Sequence, residues 1–452
     1  MPFVPHNDDD LREMMKVIGI SDLHELFDEI PESIPRAKLD GIPNGMTEHE
    51  LVSHMTNRSL KQNNACCFLG AGAYDHYIPA SIWSLISRGE LYSPYTPYQP
   101  ESSQGTLQVL FEFQSMISEL TGMDVSNASL YDGPTALAEA ILMSCRINST
   151  NRSRKIIVPR SLHPHYFETI KTLTNYQDVR LSVYEYDKES GKIALNKNED
   201  PAQAIVVSQP NFFGCLEDVD ELTNWAHSMG MLVIAVVNPI SLGILTPPGK
   251  WGENGADIVV GEAQPLGIPL CSGGPFLGFI TSRDRFVRHI PGRLVGYTTD
   301  SEQRPCYVLT LQAREQHIRR GKATSNICTN QGLLVNAVVQ YLSLIGGDGL
   351  RQVALACHQR ASALSKKILS IEGVNKVFSS PFFNEFVISL PVPPSEILKS
   401  MRRHNILPGY NMSMYYPEIK NPLLVCATEK RTLEEIHDYA KTMQSIISGD
   451  VC

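Results

Sequence analysis

Six β-branched or apolar runs recur between Lys155 and Thr281: Lys155–Pro159, Arg180–Tyr186, Ala204–Ser208, Met231–Val237, Asp257–Gly261 and Phe276–Thr281. Helical stretches, among them Pro164–Leu173 and Val219–Met229, separate several of them. Strands that are apolar along their whole length need cover on both faces, and parallel neighbours need a crossover, usually a helix. The pattern therefore predicts an α/β fold with a mostly parallel sheet between helical layers. The last two runs, joined by a loop rich in glycine and proline, are the exception and read as a directly paired couple.

The flanking segments complete the architecture. Leu107, Leu110, Phe111, Ile117 and Leu120 fall at helical spacing between Gln104 and a glycine stop at Gly122, and a second helix is expected from Thr135 to Ile147. The first sixty residues alternate short helical stretches, Leu11–Gly19 and Asp22–Asp28, with turns around Pro31, Pro35 and Pro43, and read as an extended arm. Beyond Gln331, two long helices (Gly332–Ile345 and Asp348–Ile371) lead to a unit over Gly373–Ser448 that mixes short strands with helices at Pro394–His404 and Thr432–Ile447. The organisation expected is an arm (1–60), a large α/β domain (61–330), and linking helices with a small C-terminal α+β domain (331–452).

Composition narrows the partners. The 39 Lys and Arg against 48 Asp and Glu are interspersed, so the chain lacks the clustered basic surface that nucleic acid requires. No run of 18 apolar residues occurs, so no membrane partner is expected, and Met1–Arg12 lacks the basic and apolar regions of a secretory signal, so the cytosol is expected. The 10 cysteines show no metal-like CxxC pair and read mostly as reduced, buried small hydrophobes; the role of Cys66 and Cys67 stays open. Proteins and small molecules are the expected partners.

Five segments are candidates for chemistry. In LYSPYTPYQPESSQG (Leu91–Gly105), Tyr92, Tyr95 and Tyr98 are interleaved with prolines in a stiff loop. The loop either packs its rings on the core or presents an aromatic wall to a ligand or another subunit. In SLYDGPTA (Ser129–Ala136), Gly133 allows close backbone approach, Pro134 suits the first helical turn, and Thr135 offers a hydroxyl and an amide at the positive helix end, which suits a phosphate as well as an ordinary helix start. His163 and His165 have no Asp, Glu or Cys at ligand spacing and read as packing residues rather than a metal pair; no metal is expected. The run Ala256–Gly278 is a buried strand, a polar turn and a Gly-rich loop before another apolar strand, and it holds no lysine; the nearest are Lys250 and Lys322. A covalent bond to a cofactor aldehyde needs a positioned, desolvated amine. In LTLQAREQHIRRGKATSNICTNQ (Leu309–Gln331), Arg314, Arg319, Arg320 and Lys322 precede Thr324, Ser325, Asn326 and Thr329. That is either an anion or carboxylate site or a solvated basic helix with a capped exit.

Taken together, YTPYQPESSQG, SLYDGPTALAEA, GEAQPLGIPLCSGGP, IPGRLVG (Ile290–Gly296) and the Leu309–Gln331 segment closely resemble subunit 1 of the split glycine dehydrogenase (decarboxylating), the N-terminal half of the glycine cleavage system P-protein. The resemblance runs from the arm to the small domain. It implies the type I pyridoxal-phosphate-dependent transferase fold and, at about half the length of the single-chain enzyme, a separate lysine-bearing partner, glycine dehydrogenase subunit 2. Against the family's HKTF-x-x-PHGGGGPG motif, Pro269 and Gly273–Gly274–Pro275 align, and the lysine position falls on Gln264. The aspartate expected beside the pyridine nitrogen falls, more loosely, near Asn238. A glutamine amide cannot bond the cofactor covalently, and an asparagine supplies no negative charge.

The resemblance thus implies no catalytic residue in this chain alone, with pyridoxal phosphate bound by the partner and the lipoyl group of H-protein as acceptor. It implies Tyr95 and Tyr98 lining the shared pocket, Arg319 or Arg320 steering the glycine carboxylate or the acidic lipoyl carrier, and Gly133, Thr135, Thr324, Ser325 and Asn326 near the cofactor. Two other readings stand beside it. One is a structural or regulatory pseudo-enzyme that only stabilises its partner, which burial of Tyr95 and Tyr98 against their own chain would favour. The other is an independent enzyme using a lysine such as Lys322, for which the strand-and-loop context is wrong.

Overall fold

The central sheet of the computed structural model has seven strands, in spatial order Val125–Ser126, Gly278–Ser282, Ile258–Glu262, Leu232–Val237, Ala204–Gln209, Lys155–Pro159 and Arg180–Tyr184. The last five run parallel. Gly278–Ser282 is antiparallel to Ile258–Glu262, the exception that the Gly/Pro-rich loop announced. The structure describes residues 5–31, 33–35, 40–60, 65–148, 153–196, 200, 202–271 and 273–449; Cys452 and the Tyr92 side chain lie outside these.

Alternation along the strands divides the interior in two. Ile205, Val207, Val233, Ala235, Val237 and Val259 face one core, while Ala204, Val206, Ile234, Val236, Ile258 and Val260 face the other. The first core takes Leu107, Leu110, Phe113 and Ile117 from the helix Gln104–Thr121. The second takes Ala136, Leu137, Ala140 and Ile141 from Gly133–Ile147. At about 1.5–3 kcal/mol for each large side chain buried, a one-residue slip in register would forfeit both sets at once.

The two long helices expected after Gln331 form one element, Gly332–Ile368, broken at Gly346 (φ 62°, ψ −174°). Its first half sends Leu334, Val335, Ala337, Val338 and Tyr341 into the large core, and its second half sends Ala361, Leu364 and Ile368 into the C-terminal one. It is the one helix among the described residues long and apolar enough by composition to cross a membrane, and these buried contacts account for its apolarity.

The C-terminal sheet is antiparallel, in order Asn375–Lys376, Glu385–Ser389, Pro422–Cys426 and Tyr410–Asn411. Pro394–Arg403 and Leu433–Ser448 pack with it, the latter started by a Thr432/Glu435 capping box. The two-residue strand Cys66–Cys67 pairs with Ile406–Leu407, and Phe68 is buried in this same core against Tyr439, 4.6 Å between ring centroids. Residues 66–68, grouped by sequence with the large domain, thus pack with the small one. Burial pushes the Cys66 thiol up to about 11, so it holds little thiolate at neutral pH.

A hairpin, Leu294–Thr299 with Pro305–Thr310, was not anticipated. Two glutamines of the helix Gln104–Thr121 fix it by paired amide bonds: Gln104 to the N–H and carbonyl of Tyr307, and Gln114 to those of Val295, all at 2.9 Å. The basic stretch after it holds three short turns, Gln312–Arg314, Gln316–Arg319 and Arg320–Lys322, instead of a continuous basic helix.

Residues Met1–Asn63 form a unit of their own. It contains the helix Asp8–Ile18, capped by Asn7 and Asp10 and closed by Gly19 (φ 86°), and the helix Glu48–Leu60; neither helix buries a residue.

Candidate active site and subunit face

Ligands of open α/β sheets bind beyond the carboxyl ends of the strands. Here those ends contribute Ser208, Pro210, Val237, Asn238 and Glu262 to a cleft that also takes Gly72, Tyr74, His163, Tyr166, Phe212 and Glu385. The cleft is half open to solvent and narrow, with a cavity volume of about 70 Å³.

Its phosphate-like corner is already filled. The N-terminus of the helix Gly133–Ile147 donates Gly133 N–H to Glu262 Oε2 (2.9 Å), while Glu262 Oε1 accepts from the N–H groups of Gln264 (3.0 Å) and Leu277 (2.9 Å). Burial pushes this carboxyl up to about 7, against the three N–H bonds that favour its charge. Thr135 N–H is taken by Asp132 Oδ1 (2.8 Å) in a capping box. Gly133 does permit a close approach, but of Tyr166: a Cβ there would lie 2.0 Å from the Tyr166 oxygen.

Gln264, 1% exposed, clamps the loop that roofs the cleft. Its Oε1 accepts from Tyr74 N–H (2.9 Å), and its Nε2 donates to the carbonyls of Tyr74 (3.0 Å) and Ile268 (2.7 Å). Tyr74 Oη in turn donates to Glu385 Oε2, and Ala71 N–H to Glu385 Oε1, each at 2.7 Å. Burial raises the Glu385 carboxyl to about 7. Asn238 lines the same cleft; its Oδ1 accepts from Ile240 N–H (3.0 Å), and its buried Nδ2 has no partner.

His163 is a helix cap. Its Nδ1 accepts from His165 N–H (3.0 Å), Nε2 pairs with the Ala71 carbonyl (2.7 Å), and burial lowers its pKa to about 4, so the ring is neutral with the proton on Nε2. Its ring packs on Phe212 with centroids 4.7 Å apart, and that of His165 on Tyr415. These residues do not fit pyridoxal phosphate: the cleft has no lysine and no free amide at the helix end.

The remaining residues singled out from the sequence lie on a different face. Tyr95 is 86% exposed and Tyr98 47%. Tyr98 Oη accepts from Arg293 Nη2 (2.9 Å), and the Arg293 guanidinium carbon lies 5.2 Å from the Tyr98 ring centroid. Arg293, 2% exposed, sits in a small depression with Gly292, Arg314, Glu315, Thr324, Ser325 and Thr329. Arg314 is engaged by backbone carbonyls, among them those of Ile290 and Gly292, and Ser325 Oγ by Ile327 N–H and Glu139. Arg319, Arg320, Lys322 and Asn326 are exposed beyond the depression.

The group expected near the cofactor therefore divides. Gly133 and Thr135 border the closed cleft; Thr324 and Ser325 border the Arg293 depression; Asn326 borders neither. Sequence reasoning missed Glu262, Glu385, Tyr74 and Arg293. Only Glu262 carried a signal, as a charge ending the fully apolar run IVVGE.

This sheet, with its cleft at the strand ends and a small α+β unit behind it, is the type I fold of pyridoxal-phosphate-dependent enzymes. The sphingosine-1-phosphate lyase of Burkholderia pseudomallei K96243 shares it at a TM-score of 0.66 with 13% identity, over 92% of this chain and 93% of that one. Within that class, the sequence model described as Glycine cleavage system P-protein matches residues 1–443, and the chain belongs to this family. It is 50% identical to the probable glycine dehydrogenase (decarboxylating) subunit 1 of Legionella pneumophila subsp. pneumophila strain Philadelphia 1, over 99% of both chains. The protein of the same name from Methylococcus capsulatus strain Bath is 51% identical, over 99% of this chain and all of the relative. The crystal structure of an inhibitor-bound glycine decarboxylase (P-protein) superposes with a TM-score of 0.88 at 37% identity, covering 99% of this chain and all of the other.

Proposed function

We propose that this chain is the non-lysine subunit of a heteromeric glycine decarboxylase and has no active site of its own. It pairs with glycine dehydrogenase subunit 2, which holds pyridoxal phosphate covalently, and two such pairs make the working assembly. The assembly decarboxylates glycine and transfers the aminomethyl group to the lipoyl arm of H-protein. The observation that carries this reading is the Glu262 carboxyl seated on the helix-end amide of Gly133, where an anionic cofactor group would otherwise bind. The 86% exposure of Tyr95 supports a contribution across the subunit boundary and weighs against a purely structural role.

The test is the visible spectrum of the purified chain with added pyridoxal phosphate, followed by borohydride reduction and peptide mapping. The expected result is no lysine-fixed band from the chain alone, and a band together with glycine decarboxylation once subunit 2 is added. A band fixed to one lysine of this chain would overturn the reading.

A further inference from the structure

Arginine carries only N–H donors. The bond from Arg293 Nη2 to Tyr98 Oη therefore makes the phenol oxygen an acceptor and leaves the phenol's own hydrogen for another group. Among the described residues no oxygen takes that hydrogen. The His317 ring meets the Tyr98 ring edge-on, 5.4 Å between centroids at 68°.

Arg293 is held in turn. Its Nε lies 3.8 Å from Glu315 Oε2, and His317 Nδ1 lies 3.6 Å from the same oxygen. This is an incomplete neutralisation: Arg293 Nε and Nη1 and Glu315 Oε1 have no hydrogen-bond partner. Buried donors are seldom left so, and a cation with open donor positions favours an anion beside it.

We propose that Arg293 is a positioning residue that presents the Tyr98 O–H as a hydrogen-bond donor to an anionic oxygen, a carboxylate or a phosphate, of the small molecules bound in the shared site. The proposal rests on the shared-site reading above and adds the group that Tyr98 meets and the residue that aims it. No proton is transferred: Tyr98 donates a hydrogen bond and keeps its hydrogen.

The experiment uses the assembled two-subunit enzyme with Tyr98→Phe, which removes only the hydroxyl, with Arg293→Lys, and with both together. Glycine KM, kcat, the cofactor dissociation constant and the thermal midpoint are measured for each. Tyr98→Phe is expected to lower the midpoint slightly, since Arg293 Nη2 loses its acceptor, and to weaken one binding constant about tenfold or more, as for the loss of a charge-assisted bond. A rise in glycine KM with unchanged cofactor affinity identifies the oxygen as the substrate carboxylate; the reverse identifies the cofactor phosphate. Arg293→Lys, acting through Tyr98, should add nothing further in the Tyr98→Phe background. Unchanged binding constants in Tyr98→Phe, or losses that multiply in the double variant, would overturn the proposal. Failure of the shared-site reading looks different: for a chain that only stabilises its partner, substitution at Tyr95 as well as at Tyr98 would leave glycine KM, kcat and cofactor affinity unmoved, whereas failure of the Arg293–Tyr98 proposal alone leaves the Tyr95 effect in place.

Discussion

The strand-end cleft and the face around Tyr98 differ in where their polar groups point. In the cleft, Gly133, Gln264 and Leu277 donate to Glu262 and Tyr74 donates to Glu385, both buried carboxyls of the same chain. On the face, Tyr95 is open, Tyr98 has a hydrogen to give, and Arg293 has two open donor positions. The cleft has turned most of its binding groups into packing, Asn238 Nδ2 excepted, while the other face keeps an exposed phenol whose hydrogen no described residue takes.

The sharpest way to break that contrast is to unseal the cleft. Glu262→Ala leaves three buried N–H groups unpaired, and at about 1–3 kcal/mol for each urea denaturation should show a loss of about 3 kcal/mol or more. Millimolar inorganic phosphate should recover part of it by taking the carboxylate's place. A variant as stable as the parent would mean that Glu262 does not close the cleft.

Gln264→Lys should cost about 2 kcal/mol, because the amide's bonds to Tyr74 and Ile268 are lost. With pyridoxal phosphate it should still show no borohydride-fixed band, and such a band would erase the difference between the two regions. On the open face, Tyr95→Phe should leave the chain's own stability within about 0.5 kcal/mol and lower turnover of the assembled enzyme several-fold without dissociating it. Unchanged turnover removes Tyr95 from the site.

The smallest expected effect is on pH. Burial raises Glu217, Glu262 and Glu385 from the ordinary 4.5 to about 7. A carboxyl whose folded value lies above its unfolded one stabilises fully below 4.5 and loses that contribution as pH climbs through 7, where the folded state must release the extra proton. The thermal midpoint should fall by a few degrees from pH 6 to pH 8. Glu385→Gln, which keeps the shape, should shrink that difference; an unaltered profile would take Glu385 out of the titration.

The fold was legible because its signal is local: apolar runs of strand length with helices between them leave few alternatives. The site was legible only where its chemistry is local too. The helix start at Gly133 was recognised as suited to an anion, but the anion is a side chain 129 residues away. Gln264 was found by motif resemblance, and its clamp on Tyr74, 190 residues distant, has no trace in either segment. Cys66–Cys67 is too short a strand to show a period, and the Asp300–Arg304 turn between the hairpin strands contains no glycine or Asn-Gly signal. Arg293 reads as one arginine among many until Tyr98 is seen beside it.

The Gln264 clamp also sets a direction of travel. An amine at that position would have to push aside the Tyr74 backbone, which the amide grips from both sides, and would still meet a carboxyl seated at the helix end. Glu262→Ala alone frees the helix-end amide but supplies no amine, and Gln264→Lys alone supplies an amine but leaves the carboxyl in place, so a cleft able to hold the cofactor covalently needs both changes, and each alone costs stability. The closed arrangement is therefore held by two side chains at once, the Gln264 amide and the Glu262 carboxyl, rather than by either alone.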